Sequence, residues 1–191
     1  MPSTFADLGV APELVDVLSA RGFETAFAIQ ELTIADAVAG RDVCGMAKTG
    51  SGKTLAFGLP SIQRIAELEP GTVHGLILVP TRELANQVVE ELEPLGAALG
   101  VRCLAIYGGA DIDRQIKKLS EGIELIVATP GRMIDLLDRG AVSVSGVSNV
   151  VVDEADRMAD MGFLPQVEWI LRRIDTNHQT LLFSATLDGA I

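Results

Sequence analysis

The stretch Ala47-Lys48-Thr49-Gly50-Ser51-Gly52-Lys53-Thr54 decides how this chain folds. It follows an apolar run and precedes Leu55-Ala56-Phe57, so it predicts a phosphate-binding loop between a strand and a helix. Gly50 and Gly52 let successive backbone N–H groups converge on one anion, and the helix adds its positive N-terminal end. The alternative is a glycine-rich turn before an ordinary helix, and Gly-Lys-Thr after an apolar strand argues against it.

Lys53 and Thr54 supply the chemistry that such a loop needs. A lysine ammonium is a point charge for the β- and γ-phosphates of a nucleotide, and the hydroxyl of Thr54 is a possible ligand of Mg²⁺. The sequence therefore predicts a nucleotide-binding loop made by Thr49, Gly50, Ser51, Gly52, Lys53 and Thr54.

A second stretch, Val150-Val151-Val152-Asp153-Glu154-Ala155-Asp156, indicates that the nucleotide is hydrolysed. Three valines in a row favour a strand covered on both faces, as in a parallel sheet, and ligands bind beyond the carboxyl ends of such strands. We expect Asp153 to hold Mg²⁺ and Glu154 to polarise the attacking water, as phosphoryl transfer requires. The alternative is a solvated acidic loop in which Asp156 caps a helix.

Apolar runs and amphipathic stretches alternate along the remainder of the chain. This alternation predicts an α/β fold with a mostly parallel central sheet and helices on both faces. Strands are predicted over 42–47, 74–79, 102–107, 123–128, 148–152 and 179–183. Helices are predicted over 11–20, 29–38, 53–67, 82–98, 111–119, 131–138, 155–160 and 164–174.

Composition limits the class of protein. The 191 residues, 48% of them hydrophobic, suffice for one domain with a sizeable core. We expect no membrane span, no secretory signal and a cytoplasmic location, with Cys44 and Cys103 as buried free thiols. The net charge of −11 argues against a general nucleic-acid-binding surface, so any such contact would have to be local or lie on a partner domain.

The chain resembles the DEAD-box ATP-dependent RNA helicases, whose name-giving motif is Asp153-Glu154-Ala155-Asp156. Ala47 at the start of the loop is itself the form found in that family. The resemblance covers nearly all 191 residues, and seven motifs stand in the family's order. They are Gln30 after Gly22-Phe23, Ala47 to Thr54, Pro80-Thr81-Arg82-Glu83-Leu84-Ala85, Gly108-Gly109, Thr129-Pro130-Gly131-Arg132, Asp153 to Asp156, and Ser184-Ala185-Thr186.

The resemblance implies one RecA-like P-loop NTPase domain over 1–191, in which 1–40 recognise adenine and 41–191 form the core. Gln30, with Phe23 and Phe5 nearby, would then bind the base. An amide donates and accepts together, which matches the N6 and N7 edge of adenine. Phe5 would stack near the base, with core packing as its alternative. Ala26 and Ala28 stand where the family often has proline, and we expect proline there to rigidify the segment where its N–H is not needed.

The resemblance also implies that strand-end turns form a track for an RNA backbone. Small residues, a hydroxyl or a guanidinium beside a helix N-terminus suit phosphate oxygens but read no base. Each turn taken singly is more simply a capped turn. The residues are Pro80, Thr81, Arg82, Gly108, Gly109, Thr129, Pro130, Gly131 and Arg132. Ser184 and Thr186 are expected to hydrogen-bond Asp156 and couple the track to hydrolysis.

The resemblance therefore implies a domain that binds Mg·ATP and one strand of RNA and that, in the intact protein, helps to couple hydrolysis to local duplex opening. The family's second RecA-like domain, with its arginine finger, is not in the 191 residues, so we expect little unwinding by this piece alone. One alternative is a DNA helicase of related fold, against which Gln30 and the Asp-Glu-Ala-Asp motif argue. Another is a non-catalytic RNA-binding scaffold, against which Lys53, Asp153 and Glu154 argue.

Overall fold

Strands and helices alternate along most of the chain. The computed structural model describes residues 3–174 and 177–187, so the ends of the predicted domain, 1–2 and 188–191, lie outside the described residues. All predicted helices and strands are present, with ends shifted by a few residues at most. The helices are α1 (Pro12–Ala20), α2 (Ala28–Val38), α3 (Lys53–Ile65), α4 (Arg82–Ala98), α5 (Ile112–Ser120), α6 (Pro130–Asp138), α7 (Ala155–Asp160) and α8 (Leu164–Leu171). The strands are β1 (Val43–Met46), β2 (Gly75–Leu78), β3 (Cys103–Ile106), β4 (Leu125–Ala128), β5 (Asn149–Val152) and β6 (Gln179–Ser184).

The six strands form one sheet in the order β1-β6-β5-β2-β4-β3. Every pairing in this sheet is parallel, for example Ile77 of β2 opposite Val151 of β5 and Val127 of β4. The carboxyl ends of all six strands therefore meet at one edge. The predicted α/β class with a largely parallel sheet is confirmed.

Two apolar cores cover the two faces of the sheet. Alternate residues of β2 to β6 enter opposite cores: Val151 packs beneath α1 to α4, whereas Val150 and Val152 pack beneath α6 to α8. This double burial explains why the central strands read as continuous apolar runs rather than alternating ones. No helix in the described part of the chain has the length and apolar character needed to cross a membrane.

The cysteines occupy the two edge strands. Cys44 on the edge strand β1 is exposed because the core does not extend over the face of β1 that carries it, so the prediction of a buried thiol is wrong for this residue. Cys103 on β3 is partly buried, and this burial raises the pKa of its thiol to about 12. Both are free thiols, as predicted.

Candidate functional site

The predicted phosphate-binding loop joins β1 to α3, and its glycines adopt backbone conformations that other residues avoid. Gly50 has φ of 80° and Gly52 has φ of 88°, both in the left-handed region. A Cβ atom on Gly52 would lie 2.5 Å from the Gln30 side-chain nitrogen and 2.7 Å from the Phe27 ring. The loop can therefore close against α2 only with glycine at this position.

Lys53 is the first residue of α3 and is almost fully buried, with 7% of the side chain exposed. Its Nζ atom lies 3.9 Å from Asp153 Oδ1 and has no hydrogen-bond partner among the described residues. Buried ammonium groups are costly unless they are paired. A buried cation at a helix N-terminus, beside a glycine loop and with its ammonium hydrogens unbonded in the described part of the chain, fits an anionic ligand such as a polyphosphate.

Asp153 and Glu154 follow β5 at the same edge of the sheet. Burial raises the pKa of Asp153 to about 6, although the Lys53 ammonium and a hydrogen bond from the Glu154 N–H act in the opposite direction. Glu154 is the one non-glycine residue with positive φ among the described residues, at 51°. This conformation costs about 1–2 kcal/mol in an L-residue, and such costs concentrate at functional sites.

Arg157 holds the Glu154 side chain and was missed by the sequence analysis. Its Nη1 atom donates to Glu154 Oε2 at 3.1 Å, across one turn of α7. Spacing of three residues on a helix is the signal that could have identified the pair. The pair fixes the Glu154 carboxylate on the cavity wall through Oε2 and leaves Oε1 available.

The phosphate-binding loop, Lys53 and the acidic pair Asp153–Glu154 line one cavity of about 240 Å³. It runs from the loop and the acidic pair to the start of α2 and the inner side of α4. Its walls are Phe23, Phe27, Gln30, Thr49, Gly50, Gly52, Lys53, Thr54, Leu55, Leu84, Glu91, Asp153 and Glu154. Ser51 lies on the outer side of the loop, where a second, more apolar hollow begins.

Gln30 connects the start of α2 to the phosphate-binding loop. Its Oε1 atom accepts from the Phe27 N–H at 2.8 Å, and its Nε2 atom donates to the Gly52 carbonyl at 3.0 Å. One amide hydrogen and one lone pair are left over, which is what an adenine edge requires. Any ligand that moves this amide also moves the backbone of the loop.

Phe5 does not line the cavity. It is 2% exposed and packs in the core, because its carbonyl accepts from the N–H groups of Leu8 and Val10 and folds the segment back on itself. The structure therefore favours the packing alternative for Phe5 over stacking on a base. Phe27, 55% exposed and on the cavity wall, is the aromatic that the sequence analysis missed.

A groove of about 530 Å³ lies on the other side of the α4 N-terminus. It contains eight of the nine residues predicted for the RNA track: Pro80, Thr81, Arg82, Gly108, Thr129, Pro130, Gly131 and Arg132. Gly109 stands just behind the wall, where a Cβ atom would lie 4.0 Å from the Arg82 guanidinium. The groove is completed by residues that were not predicted for the RNA track: Glu83, Tyr107, Asp135, Met161 and Phe163.

Two helix N-termini supply the polar groups of this groove. Thr81 caps α4, with its hydroxyl accepting from the Leu84 N–H at 3.2 Å. Thr129 precedes α6 without making such a cap, so its hydroxyl remains available. Pro130 has no N–H, and the first free N–H groups of this helix are those of Gly131 and Arg132. Helix N-termini with free N–H groups bind anions, and the groove therefore suits phosphate oxygens.

The two arginines of the groove differ in their surroundings. The Arg82 side chain is 60% exposed and pairs with its neighbour Glu83 at 2.8 Å. Arg132 is 12% exposed, and its guanidinium donates to the Ala110 carbonyl at 3.1 Å and to Gln115 Oε1 at 3.2 Å. Arg132 thus braces the Gly108–Asp111 loop, and most of its donors are not free for phosphate.

The hydrogen bonds expected between Asp156 and the end of β6 are present. Asp156 donates its N–H to Ser184 Oγ at 3.1 Å. Its Oδ2 atom accepts from Thr186, from the N–H at 3.2 Å and from the hydroxyl at 3.4 Å. These bonds fix the start of α7, and with it the acidic pair, to the residues that follow β6.

The residues present fit Mg²⁺ bound together with phosphates. The described part of the chain contains no cluster of three or more His, Cys, Asp or Glu side chains that would hold a metal by protein groups alone. Mg²⁺ usually takes one or two protein ligands and completes its shell with phosphate oxygens and water. Asp153 and Thr54, both on the cavity wall, supply ligands of that kind.

Comparison with known proteins assigns this chain to a family. Residues 27–191 match the model of the DEAD/DEAH box helicases. The chain is 46% identical over 187 residues to a DEAD-box ATP-dependent RNA helicase CshA of Streptococcus pneumoniae, and 46% identical over 189 residues to the CshA of Geobacillus kaustophilus. It spans 36% and 40% of the lengths of these relatives.

A solved structure has the same fold. The crystal structure of a DEAD box protein from the hyperthermophile Methanococcus jannaschii superposes with a TM-score of 0.91 at 36% identity. The match covers 97% of this chain and 50% of that one.

Proposed function

Because the chain belongs to the DEAD/DEAH box helicase family, we propose that it is the ATP-binding and ATP-hydrolysing domain of an ATP-dependent RNA helicase. The observation that carries the proposal is the buried Lys53 ammonium, without a hydrogen-bond partner among the described residues and facing Asp153 across the glycine loop. The names of the curated relatives support the same activity. The activity of the whole protein is proposed, because this chain spans only about a third of the length of those relatives.

In the proposed complex, Lys53 and the N–H groups of the loop bind the β- and γ-phosphates of ATP. Thr54 and Asp153 hold Mg²⁺, whose charge stabilises the phosphoryl group in the transition state. Gln30 binds the adenine edge with its remaining donor and acceptor, and Phe23 and Phe27 supply apolar walls. Thr49, Gly50, Ser51 and Gly52 shape the loop around the phosphates.

Glu154 orients and polarises the attacking water. The left-handed backbone of Glu154 directs its carboxylate into the cavity, and Arg157 holds that carboxylate from outside. A fixed carboxylate needs no reorganisation when the reaction occurs. Both carboxylates are buried on the cavity wall, but Asp153 faces Lys53 whereas Glu154 is paired with Arg157, and we assign them different functions for that reason.

RNA is the proposed ligand of the groove. Its polar groups come from two helix N-termini and Arg82, so it binds a backbone locally without a general basic surface. This reconciles a nucleic-acid ligand with a net charge of −11. The N-terminus of α4 separates groove from cavity, and the Asp156 hydrogen bonds to Ser184 and Thr186 join the acidic pair to β6, so RNA binding and hydrolysis share rigid elements.

A second RecA-like domain of the full-length protein is part of the proposal. It would close over ATP and contribute an arginine finger, an element that contributes about 10³–10⁵ in rate where it has been measured. Residues 1–191 alone should therefore bind nucleotide but unwind RNA slowly or not at all. The proposed location is the cytoplasm.

The proposal is tested by ATPase assays on the full-length protein with RNA, with single-stranded DNA and without nucleic acid. Stimulation by RNA and not by DNA is expected. The Glu154→Gln variant should bind ATP normally and turn over about 10²–10⁴-fold more slowly, because its shape is kept and only the charge is lost. Normal turnover by this variant would remove Glu154 from the mechanism.

The same assay separates the alternatives. Equal stimulation by DNA would indicate a DNA-directed enzyme. ATP binding with no turnover under any condition would indicate a scaffold that uses ATP as a structural ligand. Duplex separation by residues 1–191 at the full-length rate would contradict the need for a second domain.

A further inference from the structure

A second cleft adjoins the groove on the far side of the Gly108–Asp111 loop. It has a volume of about 290 Å³ and lies between edge strand β3 and helix α5. We call it the α5 cleft. Leu104, Ala105 and Tyr107 form one wall, and Arg114, Gln115 and Lys118 form the other.

The α5 cleft carries two cations on one face of the helix. Arg114 and Lys118 are four residues apart, so their side chains project from the same side of α5. Arg114 is 87% exposed and lies 3.8 Å from Asp111, a surface pair that contributes little and leaves most of its donors free. Lys118 has no ion pair within the described residues. An anion entering the cleft would meet both cations and one carboxylate, that of Asp111, whose Oδ1 atom already accepts from the first N–H groups of α5.

The cleft and the groove are neighbours that share one wall. Tyr107 lines both, and the loop after it forms their common wall. From the groove side, Arg132 binds the Ala110 carbonyl and Gln115 Oε1. From the cleft side, buried Gln115 donates to the Tyr107 carbonyl at 3.1 Å. The shared wall is therefore rigid, and a chain leaving the groove over it reaches α5 directly.

We propose that the α5 cleft binds the sugar–phosphate backbone of an RNA strand that extends beyond the groove, with Arg114 and Lys118 each contacting a phosphate. This inference rests on the proposed function of the groove. An acidic peptide paired along the open edge of β3 is the competing occupant. The wall shared with the groove favours RNA, since a strand bound in the groove can extend over that wall to Arg114 and Lys118.

Adjacent lysines on α5 provide a matched test. Lys118 lines the cleft, whereas Lys117 is exposed on the same helix and does not line it. The full-length protein and its Lys118→Gln, Lys117→Gln and Arg114→Gln/Lys118→Gln variants are titrated with two single-stranded RNAs across a salt series. The shorter RNA fills only the groove, and the longer one extends past it.

For the longer RNA, Lys118→Gln should reduce the slope of log affinity against log salt by about 0.7, and the double variant by about 1.4. The double variant should bind this RNA roughly tenfold more weakly at moderate salt. Lys117→Gln should match the parent protein. The shorter RNA should bind all four proteins equally, which also shows that the variants are folded.

Three results would overturn the proposal. Equal losses for Lys117→Gln and Lys118→Gln would indicate general electrostatics, and an unchanged double variant would exclude RNA from the cleft. An acidic peptide that binds the parent but not the double variant, with RNA unaffected, would assign the cleft to a peptide. If the parent protein binds neither RNA, the proposed function of the groove fails first, so the two failures are distinguishable.

Discussion

The nucleotide cavity and the groove lie at the same edge of one sheet, separated by the first turn of α4, yet they are built in opposite ways. The cavity concentrates its chemistry in a few buried charges, with Lys53 and Asp153 both almost inaccessible to solvent. The groove distributes its chemistry over exposed helix N-termini and the largely exposed Arg82.

This difference determines how each site responds to change. A buried charge that loses its partner or ligand keeps its full cost of desolvation, so single substitutions in the cavity should have large effects. Exposed groups in the groove are solvated with or without a ligand, so each contributes little. A single substitution in the cavity should therefore change ligand affinity strongly, whereas a single substitution in the groove should change it only slightly.

The largest expected effect on ligand binding is that of Lys53→Ala on ADP binding with Mg²⁺. Charge-assisted contacts contribute about 1.5–3 kcal/mol, so affinity should fall roughly tenfold to a hundredfold by calorimetric titration. Lys48→Ala is the matched control, because Lys48 is an exposed lysine in the same loop that does not line the cavity. Equal affinities for parent and Lys53→Ala would remove the loop from nucleotide binding.

The two arginines provide the second test, in protein stability. Arg132→Ala removes the guanidinium that donates to the Ala110 carbonyl and to the Oε1 atom of buried Gln115, so the free energy of unfolding should fall by about 1–3 kcal/mol. Arg82→Ala removes an exposed surface pair and should stay within about 0.5 kcal/mol. Denaturant unfolding measures both.

RNA binding distinguishes the same two arginines in a different way: Arg82→Ala should affect RNA affinity without affecting stability. Arg82→Ala should weaken RNA binding only through one exposed contact, with the fold unchanged. If Arg132→Ala instead unfolds at the parent's denaturant concentration and loses RNA affinity, its guanidinium binds phosphate and does not brace the loop.

Acidification gives the third test. Burial raises the pKa of Asp153 to about 6, so this carboxyl is protonated below that pH and ionised above it. Only the ionised form is a good Mg²⁺ ligand, so the gain in ADP affinity that Mg²⁺ confers should be full above pH 7. At pH 5 it should be reduced about tenfold, since one pH unit corresponds to about 1.4 kcal/mol. The ADP phosphates also titrate near this range, and Asp153→Asn, which lacks the group, corrects for them.

The nucleotide cavity was easier to predict from sequence than the groove. The loop from Ala47 to Thr54 is one continuous stretch of sequence, and so is the acidic pair after β5. In each stretch the residue types indicate one kind of chemistry. Strand order was not predicted, although the parallel character of the sheet followed from the three valines of β5, which enter two different cores.

What the sequence could not provide was side-chain direction and partner choice. Phe5 and Phe27 are both aromatics near Gln30, and only the fold of the N-terminal segment places one in the core and the other on the cavity wall. Arg82 and Arg132 both follow strand ends, and only the position of Gln115 on α5 shows that Arg132 is committed to bracing. Cys44 looked buried because strand periodicity does not reveal which strands are at an edge.

The smallest expected effect concerns the segment that leads into Gln30, where the sequence analysis treated Ala26 and Ala28 alike. The structure separates them. Ala26 donates its N–H to the Ser3 carbonyl at 3.0 Å, so proline there would remove a hydrogen bond. Ala28 is the first residue of α2, the position at which proline is favoured, and Phe27 before it has the extended conformation that proline requires of its predecessor.

Ala28→Pro should therefore stabilise the protein by about 0.4–1 kcal/mol, chiefly by restricting the unfolded chain, and Ala26→Pro should destabilise it by about 1 kcal/mol. In thermal unfolding the midpoint temperatures of the two variants should shift in opposite directions.

Ala28→Pro should also tighten ADP binding by a few tenths of a kcal/mol, because less of the segment must be ordered around Gln30 when the base binds. Inosine diphosphate, which lacks the N6 amine, should gain less. Equal gains for both nucleotides would show that this segment does not position Gln30 on adenine, and a loss of stability for Ala28→Pro would show that the start of α2 needs the N–H that proline lacks.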